Sequence, residues 1–182
     1  MSNKVFKRFS DLARKAEISR GTKDSIDWFA KRIRKGKPIK NIEVITDGFK
    51  PKQIEPGGMY VYAYDPKTKE KLPFYDMFPL IICLSIVRGG WYGLNVHYLP
   101  PSMRAKILWE IGYGKMNLAK IAKALTLDPR TKPAMKRYLF DHCRSTPKYI
   151  PKSEWEIAIQ LPFENFVNAD NKKVWRDSRS KM

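Results

Sequence analysis

Apolar positions fall first at helical and then at strand spacing along the chain. Phe6, Phe9 and Leu12 share one side of a basic opening segment, so residues 1–21 read as a short basic helix or a disordered arm. Gly21-Thr22 interrupts this pattern. Ile26, Phe29, Ala30 and Ile33 then recur at helical intervals, which predicts a helix from Ser25 to Arg34 with Thr22 or Asp24 as its cap. Gly36-Lys37-Pro38 stops it. Residues 38–55 read as an extended connector with one short strand at Ile42–Ile45.

From Pro56 to Pro101 the period shortens. Met59–Tyr64 (MYVYAY) is β-branched and aromatic, Leu80–Val87 is apolar apart from Ser85 and reads as a fully buried strand, and Trp91–Leu99 continues as a third strand containing Gly93. These predict three strands of an antiparallel meander. Asp65-Pro66 has the residue order a type I turn prefers, and Arg88-Gly89-Gly90 supplies a second turn. After Pro100-Pro101 the spacing is helical again. Met103–Ile111, capped by Ser102, is one predicted helix, ended by Gly112-Tyr113-Gly114. A second passes through Leu118, Ile121, Ala122 and Leu125, and a third runs from Pro133 to Cys143 with proline in its first turn. Trp155–Leu161 (WEIAIQL) alternates and predicts a final strand returning to the sheet, and Pro162–Val167 reads as a helical turn.

The predicted fold is therefore α+β, a small antiparallel SH3-like β-barrel flanked by basic α-helices. Its organisation reads as a basic helical arm and connector over 1–55, a core domain over 56–167 and a basic mobile tail over 168–182. The core comprises the meander at 56–101, helices at 102–145 and the returning strand at 155–161.

Charge changes the picture from fold to function. The 182 residues carry a formal net charge of +18, distributed as +8 before Pro56, +1 from Pro56 to Pro101 and +9 after it. A neutral folded block between cationic flanks favours a polyanionic partner, nucleic acid first, an acidic protein second and a membrane third. The basic residues gather in three places: Lys31, Arg32, Arg34, Lys35 and Lys37 on and after the first firm helix; Lys67, Lys69 and Lys71 around a hairpin tip; and Lys132, Lys136 and Arg137 on the third late helix. Any one cluster could be a solvated face, but together with a twofold basic excess they are the candidate DNA-binding residues, through phosphate contacts.

Other chemistry is less well supported. No apolar run approaches the ~20 residues of a membrane span, and the N-terminus lacks the apolar segment of a secretory signal. Cys83 and Cys143 have no metal-type spacing and read as small buried hydrophobes. His97 reads as structural, since no partner is marked, and His142 as a cation at a helix end. A metal-dependent nuclease would need converging carboxylates. Of the available acids, Asp65 is better explained as a turn residue, Asp76 lies near a strand, and Glu154 and Glu156 share the wet face of the last predicted strand. The aromatics Tyr60, Tyr62, Tyr64, Phe74, Tyr75, Trp91, Tyr92 and Tyr98 could stack on bases, although packing is the stronger reading. No catalytic residue, metal, cofactor, small-molecule substrate or base-reading motif is expected.

Particular words of the central block carry a resemblance. Gly58-Met59-Tyr60, Tyr64-Asp65-Pro66-Lys67, Leu72-Pro73-Phe74-Tyr75-Asp76, Phe78-Pro79-Leu80 and Gly93-Leu94-Asn95-Val96-His97-Tyr98-Leu99-Pro100 resemble the DNA end protector family of T4-like tailed phages. Trp28-Phe29 before them, and Trp155, Leu161-Pro162 and Phe166 after them, extend the likeness over most of the chain. The resemblance implies a non-enzymatic protein on the ends of linear double-stranded DNA. It would be carried in the virion with the packaged DNA and then enter the host cytoplasm, where it would block the host recombination exonuclease. The rival expectation is a structural virion part, with acidic head, neck or baseplate proteins as neighbours.

Overall fold

The longest apolar run builds the centre of the molecule. In the computed structural model, which describes residues 4–19, 22–35, 54–110, 117–162 and 164–179, Leu80–Val87 forms β3 of a five-stranded antiparallel sheet. Its partners are β1 (Met59–Val61), β4 (Gly90–Asn95), β5 (Met135–Leu139) and β6 (Lys148–Ile150), in the order β5-β4-β3-β1-β6. A separate two-stranded ribbon pairs β2 (Tyr75–Asp76) with β7 (Phe166–Val167). The β3–β4 hairpin turns at Arg88-Gly89, where Gly89 takes a φ of 75° that a side chain rarely tolerates. The predicted strand Ile42–Ile45 and the break at Gly112-Tyr113-Gly114 lie outside the described residues.

Strand alternation sorts the core into two layers. Met59, Val61, Leu80, Ile82, Leu84 and Leu94 face the main core, to which the helices contribute. Tyr60, Tyr62, Tyr64, Ile81, Cys83, Trp91 and Tyr138 form a second cluster on the opposite face. There Tyr62 meets Trp91 edge-on at 5.4 Å and Tyr64 meets Tyr138 at 4.9 Å. Burial raises the Tyr62 and Tyr138 hydroxyls well above the usual phenol range, so both stay neutral. The tyrosine alternation is therefore packing, and these rings are closed to nucleic-acid bases. Both cysteines are free thiols, Cys83 buried in this cluster and Cys143 packed against it.

The helices are α1 (Lys4–Lys15), α2 (Lys23–Arg34), α3 (Pro101–Leu108), α4 (Leu118–Leu127), α5 (Trp155–Ala158) and α6 (Asn171–Arg179). The opening segment is thus a helix, and its Phe6, Phe9 and Ala13 enter the main core beside Ile26, Phe29 and Ile33 of α2. Thr22 caps α2 in a reciprocal box, accepting from the Ser25 amide at 3.0 Å while its own amide donates to Ser25 Oγ at 3.1 Å. Helix α3 starts at Pro101, without a side-chain cap from Ser102.

Five expectations are corrected. In place of a closed SH3-like barrel the sheet is open: among the described residues β5 and β6 remain on opposite edges, and a single isolated bridge, Tyr64 to Cys143, with Arg144 N donating to Ala63 O at 2.8 Å, ties the segment after β1 to the one after β5. A barrel needs continuous pairing around its circumference. The helix expected at Pro133–Cys143 is β5 between two single 3₁₀ turns, because Pro133 opens a 3₁₀ turn and Met135–Leu139 then pairs with β4. The strand expected at Trp155–Leu161 is the short helix α5, entered through a 3₁₀ turn at Lys152–Glu154. The strand returning to the sheet is β6, immediately before it. Residues 166–167 form β7 rather than a helical turn, and the segment expected to be a mobile tail contains α6, whose Val174 is wholly buried.

Candidate nucleic-acid interface

The amphipathic patterns of α1 and α2 decide where their charges go. With Phe6, Phe9 and Ala13 of α1 turned into the core, Arg8 and Lys15 are left on the helix surface. Helix α2 buries Ile26, Phe29 and Ile33 and leaves Lys31, Arg32 and Lys35 exposed. Both helices pack on α5. Ser25 of α2 donates to the buried Glu156 carboxylate at 2.5 Å, and Ser10 of α1 donates to Glu154 at 3.3 Å. This docking opens a cleft of about 550 Å³ between α1 and α2, with Arg8, Lys15, Arg32 and Lys35 in its walls. Its acidic member, Asp11, is held by Arg14 at 3.0 Å. Four cations around one acid make an anion-attracting cleft.

Arg8 and Lys15 were not among the candidates. Their signal was the i, i+7 spacing opposite the Phe6–Phe9 stripe, which becomes informative only once the segment is known to be helical. Lys31 is exposed on α2 outside the cleft wall. The Arg34 side chain, and Lys37 altogether, lie outside the described residues.

The second and third clusters are partly joined. The residues around Lys67, Lys69 and Lys71 form an exposed loop with a 3₁₀ turn at Lys69–Lys71, running from β1 to β2 rather than forming a hairpin tip. Asp65 anchors this loop, meeting Arg144 at 2.9 Å and Lys69 at 3.0 Å. Those hydrogen bonds, Arg144 first, hold the Asp65 carboxyl below its usual range and raise the Lys69 ammonium. Directly after the loop, Leu72, Pro73 and Phe74 form one wall of a groove of about 950 Å³, and Lys132 and Lys136 belong to its lining. Lys136 Nζ sits 4.3 Å above the Tyr98 ring, in cation–π geometry. Arg137 does not join it. Successive strand residues point to opposite faces, so β5 places Arg137 away from Lys136, beside its cross-strand neighbour Tyr92, and Arg137 Nη2 donates to Arg88 O at 3.2 Å.

The remaining candidates for chemistry are built into the interior. His97 follows β4 in a 3₁₀ turn and is fully buried. Its Nδ1 donates to Asp76 Oδ2 at 2.7 Å, and Asn95 Nδ2 contacts the same oxygen at 3.2 Å. Asp76 Oδ1 accepts from the Phe78 amide at 3.0 Å and the Asn165 amide at 3.3 Å, tying the two-stranded ribbon to the sheet. Arg104 of α3 donates to the carbonyls of Leu99, Ile159 and His97 and to Glu164 Oε1. His142 sits at a 3₁₀ turn, its Nδ1 2.9 Å from Asp65 O. Glu156 is buried against Ser25, not on a wet strand face. Among the described residues, no three His, Cys, Asp or Glu side chains converge as a metal site, and no helix is long and apolar enough to cross a membrane.

The chain is an α+β protein whose surface clefts gather cations, an arrangement that attracts anions. Comparison with known families is specific: the Phage T4 terminal DNA protecting protein family matches the chain over residues 1–178. The chain belongs to that family, as the central motifs suggested. No curated protein and no solved structure matches it.

Proposed function

We propose that this protein binds the ends of linear double-stranded DNA through phosphate contacts and protects them from exonuclease by covering them. The convergence of Arg8, Lys15, Arg32 and Lys35 on one cleft carries the reading, and membership of a DNA-protecting family gives it direction. Exposed cations on a rigid helical frame bind the backbone without reading sequence, which suits a protein that must act on any terminus. Nothing in this role requires a catalytic group. On this reading the protein travels in the virion with the packaged DNA and works in the host cytoplasm after injection.

The test is digestion of blunt linear duplex by a processive double-strand exonuclease, with and without pure protein, at low salt. Full-length DNA should survive with wild-type protein and be degraded with Arg32→Glu/Lys35→Glu. Equal degradation with and without wild-type protein would overturn the reading in favour of a structural virion part that meets acidic head or neck proteins.

A further inference from the structure

Cations alone do not distinguish a DNA end from the middle of a duplex, because phosphates line both. An end differs by exposing the face of its last base pair and by fraying, so that a terminal nucleotide can leave the stack. A receptor for that nucleotide needs an apolar, aromatic recess with a cation beside it.

The groove beside Lys132 has this composition. Phe74, Leu72 and Leu127 line it, Tyr98 forms a buried floor with Lys136 over its ring, and Lys132 adds a second positive charge. Leu127 is 72% exposed, the highest value among the large exposed hydrophobic residues, at the last position of α4. The volume of about 950 Å³ lies within the range of small-ligand sites. Asp177 also lines the groove, and its carboxylate lies 3.8 Å from Arg176 Nε. The lysine-bearing loop enters the groove wall directly, since Lys71 precedes Leu72. The α1–α2 cleft sets four cations beside Phe9 and Leu12, whereas this groove has two lysines in a mostly apolar wall.

We propose that this groove takes the frayed terminal nucleotide of the bound duplex, with its base between Phe74 and Leu127 and its phosphate near Lys132. The inference rests on the end-binding function proposed above and assigns end preference to a surface separate from the cationic cleft. Stacking of one base supports roughly a 10-fold preference for open ends over closed DNA.

The experiment compares the affinity of the full chain for three forms of one sequence: open blunt linear duplex, the same duplex with both ends closed by hairpin loops, and a covalently closed circle. Wild-type protein should prefer the open form roughly 10-fold. Leu127→Asp and Lys132→Glu, both at exposed positions, should lower that preference several-fold more than they lower affinity for the circle. As a second measurement, 5-iodouracil placed at the terminal position should photocrosslink to the peptides carrying Phe74 or Leu127, and the same base placed internally should not. Retention of the full preference by both variants would overturn the groove assignment alone and point to a protein segment as its occupant. Crosslinking of the internal base with equal yield would also overturn it. Absence of any open-end preference or end protection in the wild type would overturn the end-binding reading as well.

Discussion

Arg104→Met should cost this protein a large part of its stability, and the loss should depend on pH in a defined direction. The guanidinium is 2% exposed and its partner Glu164 4% exposed, with 2.7 Å between them. The same group donates to Leu99 O at 2.8 Å and to Ile159 O and His97 O at 3.3 Å, fastening α3 to the segments after β4 and α5. Methionine keeps much of the volume and removes the charge and every donor. Trp175 Nε1 still serves His97 O at 2.9 Å, while Leu99 O and Ile159 O lose the Arg104 donor; the largest cost is a buried carboxylate without its cation, about 3–5 kcal/mol. Against a total of roughly 5–15 kcal/mol, that lowers the melting temperature by about 6–20 °C for a domain of this size. Burial acts to raise the Glu164 carboxyl, but the adjacent Arg104 guanidinium outweighs it, and the folded group lies below its usual value of 4.5. A depressed folded value contributes stability above the unfolded value and loses it as pH falls through the folded one. In Arg104→Met the principal lowering charge is gone and burial dominates, so the variant's carboxyl protonates readily and its penalty shrinks in acid. Urea unfolding of wild type and variant from pH 7 to pH 4 measures this. A penalty below about 1 kcal/mol, or one that does not shrink toward pH 4, would refute the account of this pair as a buried, charge-dependent clasp.

Three further outcomes follow from particular contacts. Arg32→Ala/Lys35→Ala should reduce the slope of log affinity against log salt for duplex DNA by about 2, measured by titration across salt. Gly90→Ala should destabilise by more than about 3 kcal/mol, because the new Cβ would collide with the Tyr138 carbonyl oxygen, whereas Gly89→Ala meets open space and carries only the strain of its positive φ, about 1 kcal/mol; urea midpoints separate the two. Burial raises both the Cys83 and Cys143 thiols to about 11, so at pH 8 only about one thiol in a thousand is ionised, and a thiol-reactive dye should label folded protein far more slowly than protein unfolded in urea.

Sequence pattern reveals an element when one period is enforced from one side, and fails when both sides are buried. Helix α2 was legible because Ile26, Phe29 and Ile33 face inward while Lys31 and Arg32 stay wet. The hairpin of β3 and β4 was legible because an apolar run met a glycine turn. Residues 155–159 were not, because all five are buried and the polar Glu156 among them imitates the alternation of a strand. Trp155 Nε1 bonds Ile150 O at 2.8 Å, and Ser25 supplies the partner for Glu156, contacts that no local window contains. β5 was misread for a related reason. Met135, Tyr138 and Leu139 satisfy helical spacing, and pairing with β4 decides for a strand. The same limit applies to the interface. The cations of α2 could be named from sequence, but their opposite wall, Arg8 and Lys15, required the packing of α1 on α5. The groove at Lys132 is assembled from the loop at 72–74, Tyr98, the end of α4, the turn before β5 and α6.

That assembly bears on why the neutral block and the cationic flanks occur together. The motifs that mark the family, Leu72-Pro73-Phe74-Tyr75-Asp76 and Asn95-Val96-His97-Tyr98, meet through Asp76, which binds His97 and Asn95 in the interior. The ribbon strand β2 is fixed there, and the Phe74 and Tyr98 rings come to 6.0 Å from each other. The buried pair therefore positions the aromatic side of the groove. On the proposed reading, the flanks attract any duplex, and the neutral block shapes the one surface that responds to an end. Asp76→Asn tests that division. It preserves the volume and weakens the tie to His97, so it should reduce the preference for open over closed DNA while leaving the salt slope unchanged. If it altered the slope and left end preference intact, the two tasks would not be divided between these surfaces.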